Sequence, residues 1–179
     1  MEKLAIHGGT PISSGDFNSR LQGARLLDDR ERQAVLEVLE SQALFRYAPG
    51  ARKVAEFERD FAARLGIDYA LAVCSGTAAL HIAFASLGLT CGDEVLVPAF
   101  YYVATAHAIL ATGAIPVFVE VDESLGMDLE DLRRKISPRT KAIVPVHMRG
   151  VPSNITAISA IAKEHGLLLI EDCAQSCGA

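Results

Sequence analysis

Much that would assign a function at once is missing from this sequence. It has no long basic run and no Lys/Arg stripe: its 17 basic residues are scattered, none in a run longer than Arg133-Arg134-Lys135, and the net charge is −5. That excludes the electrostatic footprint of a nucleic-acid binder. No stretch reaches the roughly 18–20 apolar residues of a membrane span. The opening MEKLAIHGGTPISS has no apolar signal core, so the expectation is a cytoplasmic protein with no membrane partner. The four cysteines, Cys74, Cys91, Cys173 and Cys177, form no C-x-x-C pair, and reduced thiols are expected. The five histidines, His7, His81, His107, His147 and His165, are too dispersed to suggest a ligand set, so no metal is expected. Neither a Walker loop nor G-x-G-x-x-G is present. There is no internal repeat. Asn154-Ile155-Thr156 matches a glycosylation acceptor, which matters only in a secreted chain and is read here as chance.

What is there is the composition of an ordinary globular protein. Half of the 179 residues are hydrophobic and 22% are charged, enough for a sizeable core. Residues 1–66 differ from residues 67–179. The first segment opens like a loop (HGGTPISSG) and continues into a helix that Asp28 or Asp29 can cap, with Ala34, Val35, Val38 and Leu39 as its apolar face. LFRYAPG, residues 44–50, reads as a loop ended by Pro-Gly. A second helix follows, striped by Val54, Phe57, Phe61 and Leu65 with Glu56, Arg59 and Asp60 off the stripe, and Gly66 stands where a helix stops.

From Tyr69 the pattern alternates. The apolar runs YALAVCS, EVLVPA, IPVFVEV, KAIVPVH and LLLIED predict five strands. Between them lie helices: one with Leu80, Ala83, Phe84 and Leu87 at helical spacing, one through VATAHAILAT, one opened by Asp128, and one from about Asn154 to Glu164. Continuously apolar strands separated by helices predict an α/β protein: a mostly parallel sheet with helices on both faces.

Ligands of such sheets bind beyond the carboxyl ends of the strands. Those ends carry Ser75-Gly76-Thr77-Ala78, Tyr101-Tyr102, His147 with Arg149, and Glu171-Asp172. The first is either an ordinary capped turn or a phosphate cradle, since free N–H groups at a helix start attract anions. The tyrosines either pack in the core or stack on a flat ligand. Adjacent acids on a strand point to opposite sides, so only one of Glu171 and Asp172 can face a given ligand. A buried carboxylate needs a partner: a metal, a helix N-terminus that it caps, or a cationic ring nitrogen. His147 is a general base or a hydrogen-bonded structural residue. Arg149 binds a substrate anion or lies on the surface.

Cradle, ring and buried acid, in that order along a parallel sheet, fit pyridoxal phosphate. The segments HGGTP, FERDFA, SGTAAL, GDEVLVP, GAIPVFVEVD, PRTKAIVPVH and IEDCAQ resemble, over almost the whole chain, those of the DegT/DnrJ/EryC1/StrS aminotransferases. The resemblance implies the large domain of a fold-type I pyridoxal-phosphate enzyme, usually oligomeric, that moves an amino group from an amino donor to a keto sugar, a cyclitol or a related biosynthetic intermediate. It implies that N–H groups around Gly76, Thr77 and Ala78 hold the cofactor phosphate. It implies further that Tyr102 stacks on the pyridine, Asp172 pairs with the pyridinium nitrogen and Gln175 reaches the ring oxygen. A carboxylate beside that nitrogen keeps it protonated, which leaves little room for a capping role at Asp172. LFRYAPG is similar to segments of cyclitol and aminobenzoate-type members, where Phe45, Arg46 and Tyr47 face the substrate or pack at a dimer interface.

The resemblance also places a Schiff-base lysine after the E-D-x-A-Q segment, in an S-x-x-K pattern. Lys3, Lys53, Lys135, Lys141 and Lys163 all lie outside that context. No catalytic residue is therefore assigned within these 179 residues. The expectation is an N-terminal portion of the enzyme, inactive as this chain alone, with the lysine supplied by a missing segment or a complementary C-terminal chain. The alternative is a module that binds pyridoxal phosphate or another phosphorylated ligand without turnover, or an inactive remnant.

Overall fold

The computed structural model describes residues 3–10 and 26–178. The chain divides into two compact units, one ending at Phe61 and one starting at Ala62. Of the loop-like opening, residues 11–15 lie outside the described residues, and Ala5–His7 form a 3-10 turn.

In the first unit, α1 (Asp29–Ser41) is capped by Asp28. Its side chain accepts from the Arg30 N–H at 2.8 Å, and Glu31 reaches back to the Asp28 N–H at 2.8 Å, completing a capping box. The helix α2 (Lys53–Leu65) starts in this unit and crosses the boundary. Both helices follow the sequence expectation in part: Ala34 and Val38 of α1 and Val54 and Phe61 of α2 are half-buried, but the rest of each expected face is exposed. Val35 and Leu39 are 60% and 57% exposed, and Phe57 is 55% exposed while stacking on Phe61 at 5.6 Å. Glu58 is buried instead. Arg46 of the intervening loop grips it through both carboxylate oxygens, at 2.5 and 2.7 Å, and this bidentate pair sets which face of α2 turns inward.

The second unit contains α3 (Gly76–Ser86), β1 (Glu94–Pro98), α4 (Ala104–Leu110), β2 (Ile115–Val119), α5 (Leu129–Lys135), β3 (Thr140–Ile143), α6 (Ile155–Glu164) and β4 (Leu168–Leu169). The strands form one parallel sheet in the order β2-β1-β3-β4. Every residue of the central β1 is buried. Alternation along the strands divides the core in two. Val95, Val97, Ala142 and Val144 pack against Phe84 of α3 and Ala108 and Ile109 of α4. Leu96 and Ile143 pack with Leu132 of α5 and Ile158 and Ile161 of α6. Helices thus cover both faces, as the continuous apolar runs require. Pro116 is tolerated in β2 because that strand is an edge.

Two strand expectations need correction. Residues 69–75 form no strand and take no place in the sheet. A strand exists only as a paired ladder, and this run, although apolar, leaves Tyr69 and Leu71 exposed. The last strand is only two residues long, because Pro145 on its neighbour has no N–H to continue the ladder. Pairing resumes as a single parallel bridge between Val146 and Asp172.

Asp131, 2% exposed, ties α5 to the end of β2. Its Oδ2 accepts from the Glu120 N–H at 2.7 Å and from Lys135 Nζ at 2.8 Å, and Arg134 binds Oδ1. Burial on its own would raise this carboxyl, but the Glu120 N–H, Lys135 and Arg134 outweigh it and hold the group below the usual aspartate value. A depressed aspartate stabilises the fold above its unfolded-state pKa, and that contribution is lost as pH falls through the folded value. Unfolding in urea is therefore expected to show stability declining as pH drops from neutrality to below the ordinary aspartate range. Asp131→Asn should cost about 2 kcal/mol at pH 7 and flatten that decline. An unchanged pH profile in the variant would contradict the assignment.

Candidate functional site

The polar ends of the sheet converge around Asp172. It follows β4 and is held beside β3 by two backbone bonds, from the His147 N–H to its carbonyl at 3.1 Å and from its own N–H to the Pro145 carbonyl at 3.0 Å. Its side chain is buried, at 8% exposure for the residue. Oδ2 accepts from the Thr105 hydroxyl of α4 at 3.0 Å, and Oδ1 accepts from the Ala174 N–H at 3.1 Å. Both donors are neutral, and no Lys, Arg or His pairs with this carboxylate among the described residues. Glu171, its neighbour, points the other way, half exposed, toward His147, as strand alternation demands.

The two tyrosines after β1 separate cleanly. Tyr101 packs against the core and stacks on Phe118 at 5.9 Å. Tyr102 is 68% exposed, and its carbonyl accepts from the Thr105 N–H at 3.1 Å. One residue of α4 therefore touches both Tyr102 and Asp172. Gln175 accepts at Oε1 from the Arg149 N–H at 2.8 Å. That bond assigns the amide orientation and leaves the NH2 group free to donate. Arg149 itself sits at φ +60 with an exposed side chain.

The turn before α3 is a capped turn. Ser75 Oγ accepts from the Ala78 N–H at 3.1 Å, so that donor is engaged. Among the described residues the N–H groups of Gly76 and Thr77 have no partner, and the space around Gly76 is open. The α3 helix packs on α4 through the cluster that also holds Tyr101 and Ile170. No hydrogen bond or ring contact joins Thr77 or Ala78 directly to Tyr102, Asp172 or Gln175 among the described residues. The structure thus ties Tyr102, Thr105 and Asp172 together and carries Gln175 three residues beyond the acid.

Sequence spacing hid two features. Thr105 and Asp172 are 67 positions apart, and nothing in VATAHAIL marks its threonine. His147, Glu171 and Cys173 also come together, with ligand atoms within 4.8 Å of one another. The hydrogen bonds argue against a metal there. His147 is buried, its Nδ1 accepts from the Ser153 N–H at 3.0 Å, and its Nε2 lies 3.0 Å from Glu171 Oε2. An accepting Nδ1 places the proton on Nε2, which then donates to Glu171. Ligation through Nε2 would need the opposite tautomer and would set two N–H groups against each other at Ser153. Partial burial, then the charges of Glu171 and Asp172, push the Cys173 thiol up, away from the thiolate a metal needs. His147 is a structural residue whose two nitrogens are both engaged. None of the four cysteines is in a disulfide.

In the first unit, a cavity of about 420 Å³ is lined by Phe45, Arg46, Tyr47, Lys53 and Glu37, among others. Phe45 and Tyr47 are exposed, and Lys53 pairs with Glu37 at 2.9 Å. No helix among the described residues is long and apolar enough to cross a membrane.

Residues 25–179 match the DegT/DnrJ/EryC1/StrS aminotransferase family. GDP-perosamine synthase of Vibrio cholerae is 42% identical over 153 residues, which are 85% of this chain and 41% of that protein. L-glutamine:2-deoxy-scyllo-inosose aminotransferase of Streptoalloteichus tenebrarius is 39% identical over 178 residues, 98% of this chain and 42% of that one. Among solved structures, NtdA from Bacillus subtilis with bound cofactor PMP superposes with a TM-score of 0.78 at 33% identity, covering 94% of this chain and 38% of NtdA. The chain spans about two fifths of the length of these relatives.

Zinc offers a check on the His147 tautomer. Equimolar Zn²⁺ is expected to leave the melting temperature within about 1 °C of the metal-free value, since only binding to the native state would raise it. A saturable rise abolished by Cys173→Ser would show that the ring has turned and that His147, Glu171 and Cys173 ligate.

Proposed function

This chain belongs to the DegT/DnrJ/EryC1/StrS aminotransferase family, and from that premise we propose that it forms the cofactor-holding portion of a transaminase acting on a keto sugar, a cyclitol or a related biosynthetic intermediate. The observation that carries the reading is Asp172, a buried carboxylate with two neutral hydrogen-bond donors and no cation among the described residues. Such a group has lost hydration that neutral donors only partly replace, and a pyridinium nitrogen would complete its pairing. Bound pyridoxal 5′-phosphate supplies an electron-accepting ring that stabilises the charge developing as an amino group changes carbon.

The residues of this chain then take the following parts. Asp172 holds the proton on the ring nitrogen. The exposed ring of Tyr102 is free to stack on the flat ligand. The unpartnered N–H groups of Gly76 and Thr77, with the Thr77 hydroxyl, receive the phosphate at the start of α3, while Ala78 shares its N–H with Ser75. The free NH2 of Gln175 donates to the ring oxygen. The lysine that joins the cofactor in this family comes from outside these 179 residues, in a further segment or a second chain. A homo-oligomer or a complementary C-terminal chain is the corresponding partner. The match over 98% of the chain to L-glutamine:2-deoxy-scyllo-inosose aminotransferase supports a cyclitol-like substrate.

Pyridoxamine 5′-phosphate tests the reading without needing the lysine. The chain is expected to bind it with a Kd in the micromolar range. The near-isosteric Asp172→Asn should weaken binding at least tenfold, about 1.4 kcal/mol, in a calorimetric titration at neutral pH. No binding by the unsubstituted chain at millimolar ligand, or equal binding by the variant, would overturn the proposal.

A further inference from the structure

Thr105 lies in the first turn of α4 and is wholly buried. A threonine in a helix usually turns its hydroxyl back to a carbonyl of the preceding turn. This hydroxyl instead reaches across the fold to Asp172 Oδ2, at 3.0 Å, while the same residue's N–H holds the Tyr102 carbonyl at 3.1 Å. Its methyl and backbone sit in a helix otherwise buried through Ala104, Ala106, Ala108 and Ile109, so it has little freedom to follow a displaced acid. The Ala174 N–H fixes the other oxygen at 3.1 Å. With one donor on each oxygen, the carboxylate plane is set and its remaining lone pairs have a defined direction.

We propose that Thr105 is the positioning residue of the cofactor site, registering the Asp172 carboxylate against Tyr102 so that acid and ring act on one flat cationic ligand. The inference rests on the pyridoxal-phosphate reading given above and adds to it the residue that orients the acid. Thr105 does not touch the ligand and exchanges no proton with it. It acts through Asp172: a carboxylate that is free to rotate holds a ring proton less well than one aimed at the nitrogen. Removal of the hydroxyl also leaves Oδ2 without a donor in a buried setting, which turns the acid toward any water that enters.

The test is titration of the chain with pyridoxamine 5′-phosphate across a range of pH, reading Kd and the near-ultraviolet band of the bound ring. Affinity should fall as pH rises through the point where the ring nitrogen loses its proton. Thr105→Val keeps the shape and removes the donor. It is expected to weaken binding about fivefold to tenfold and to move that fall to lower pH. Thr105→Ser keeps the donor and should retain the original pH profile with affinity within about threefold. A threonine that only fills space would leave the pH profile of both variants unchanged. If Thr105→Val does not fold by circular dichroism, Thr105→Ala against Thr105→Ser makes the same comparison, Ala lacking and Ser keeping the hydroxyl. Unaltered binding and pH profile in Val or Ala, beside a weakened Asp172→Asn, would overturn the role of Thr105 and leave the cofactor reading standing. Failure of the unsubstituted chain to bind, or normal binding by Asp172→Asn, would remove the cofactor reading and this inference with it.

Discussion

A carboxylate taken out of water keeps its charge only where hydrogen bonds or a cation replace the hydration it has lost. Asp172 meets half of that requirement within the described residues. Thr105 and Ala174 each donate once, and the charge itself stays uncompensated. Much of the surrounding edge of the sheet can be understood as the apparatus that keeps this acid in place. The bridge to Val146 fixes its backbone, α4 delivers Thr105, and Tyr102 hangs from the same helix start.

The segment after β3 is stitched to the segment after β4 by side chains where the ladder fails. Pro145 interrupts the backbone pairing, and the gap is bridged by His147 with Glu171, by the Ser176 hydroxyl donating to the His147 carbonyl at 2.8 Å, and by the Arg149 N–H donating to Gln175. A buried imidazole with both nitrogens engaged is a brace with a fixed tautomer. It ties the segment after β3 to the segment after β4.

The parallel sheet was legible because β1 and its neighbours are continuously apolar, and the helices because Asp28, Ser75, Asp128 and Asn154 each accept from a backbone N–H two or three positions on. The stops were equally local: Gly66, Gly88 and Gly166 have φ of +67, +68 and +65, conformations that favour glycine. Residues 69–75 misled because apolar character is a property of a residue, whereas strand formation is a property of a pair. The inward face of α2 misled for a related reason, since Glu58 is drawn in by Arg46, twelve positions away and outside the helix. At the candidate site, residue types and order came from resemblance, and the structure joins Tyr102 and Asp172 through Thr105. The acid's orientation was not readable in the sequence, because it depends on Thr105 and Ala174, whose relation to Asp172 only folding creates.

The bond from the Arg149 N–H to Gln175 gives the site edge a fixed polarity. An unconstrained glutamine is ambivalent: it offers oxygen or nitrogen as the occasion suits. With its oxygen tied to a backbone donor on a left-handed residue, this one has its orientation set, its NH2 hydrogens turned away from Arg149. On the cofactor reading proposed above, it would therefore favour a ligand atom that accepts over one that carries its own hydrogen.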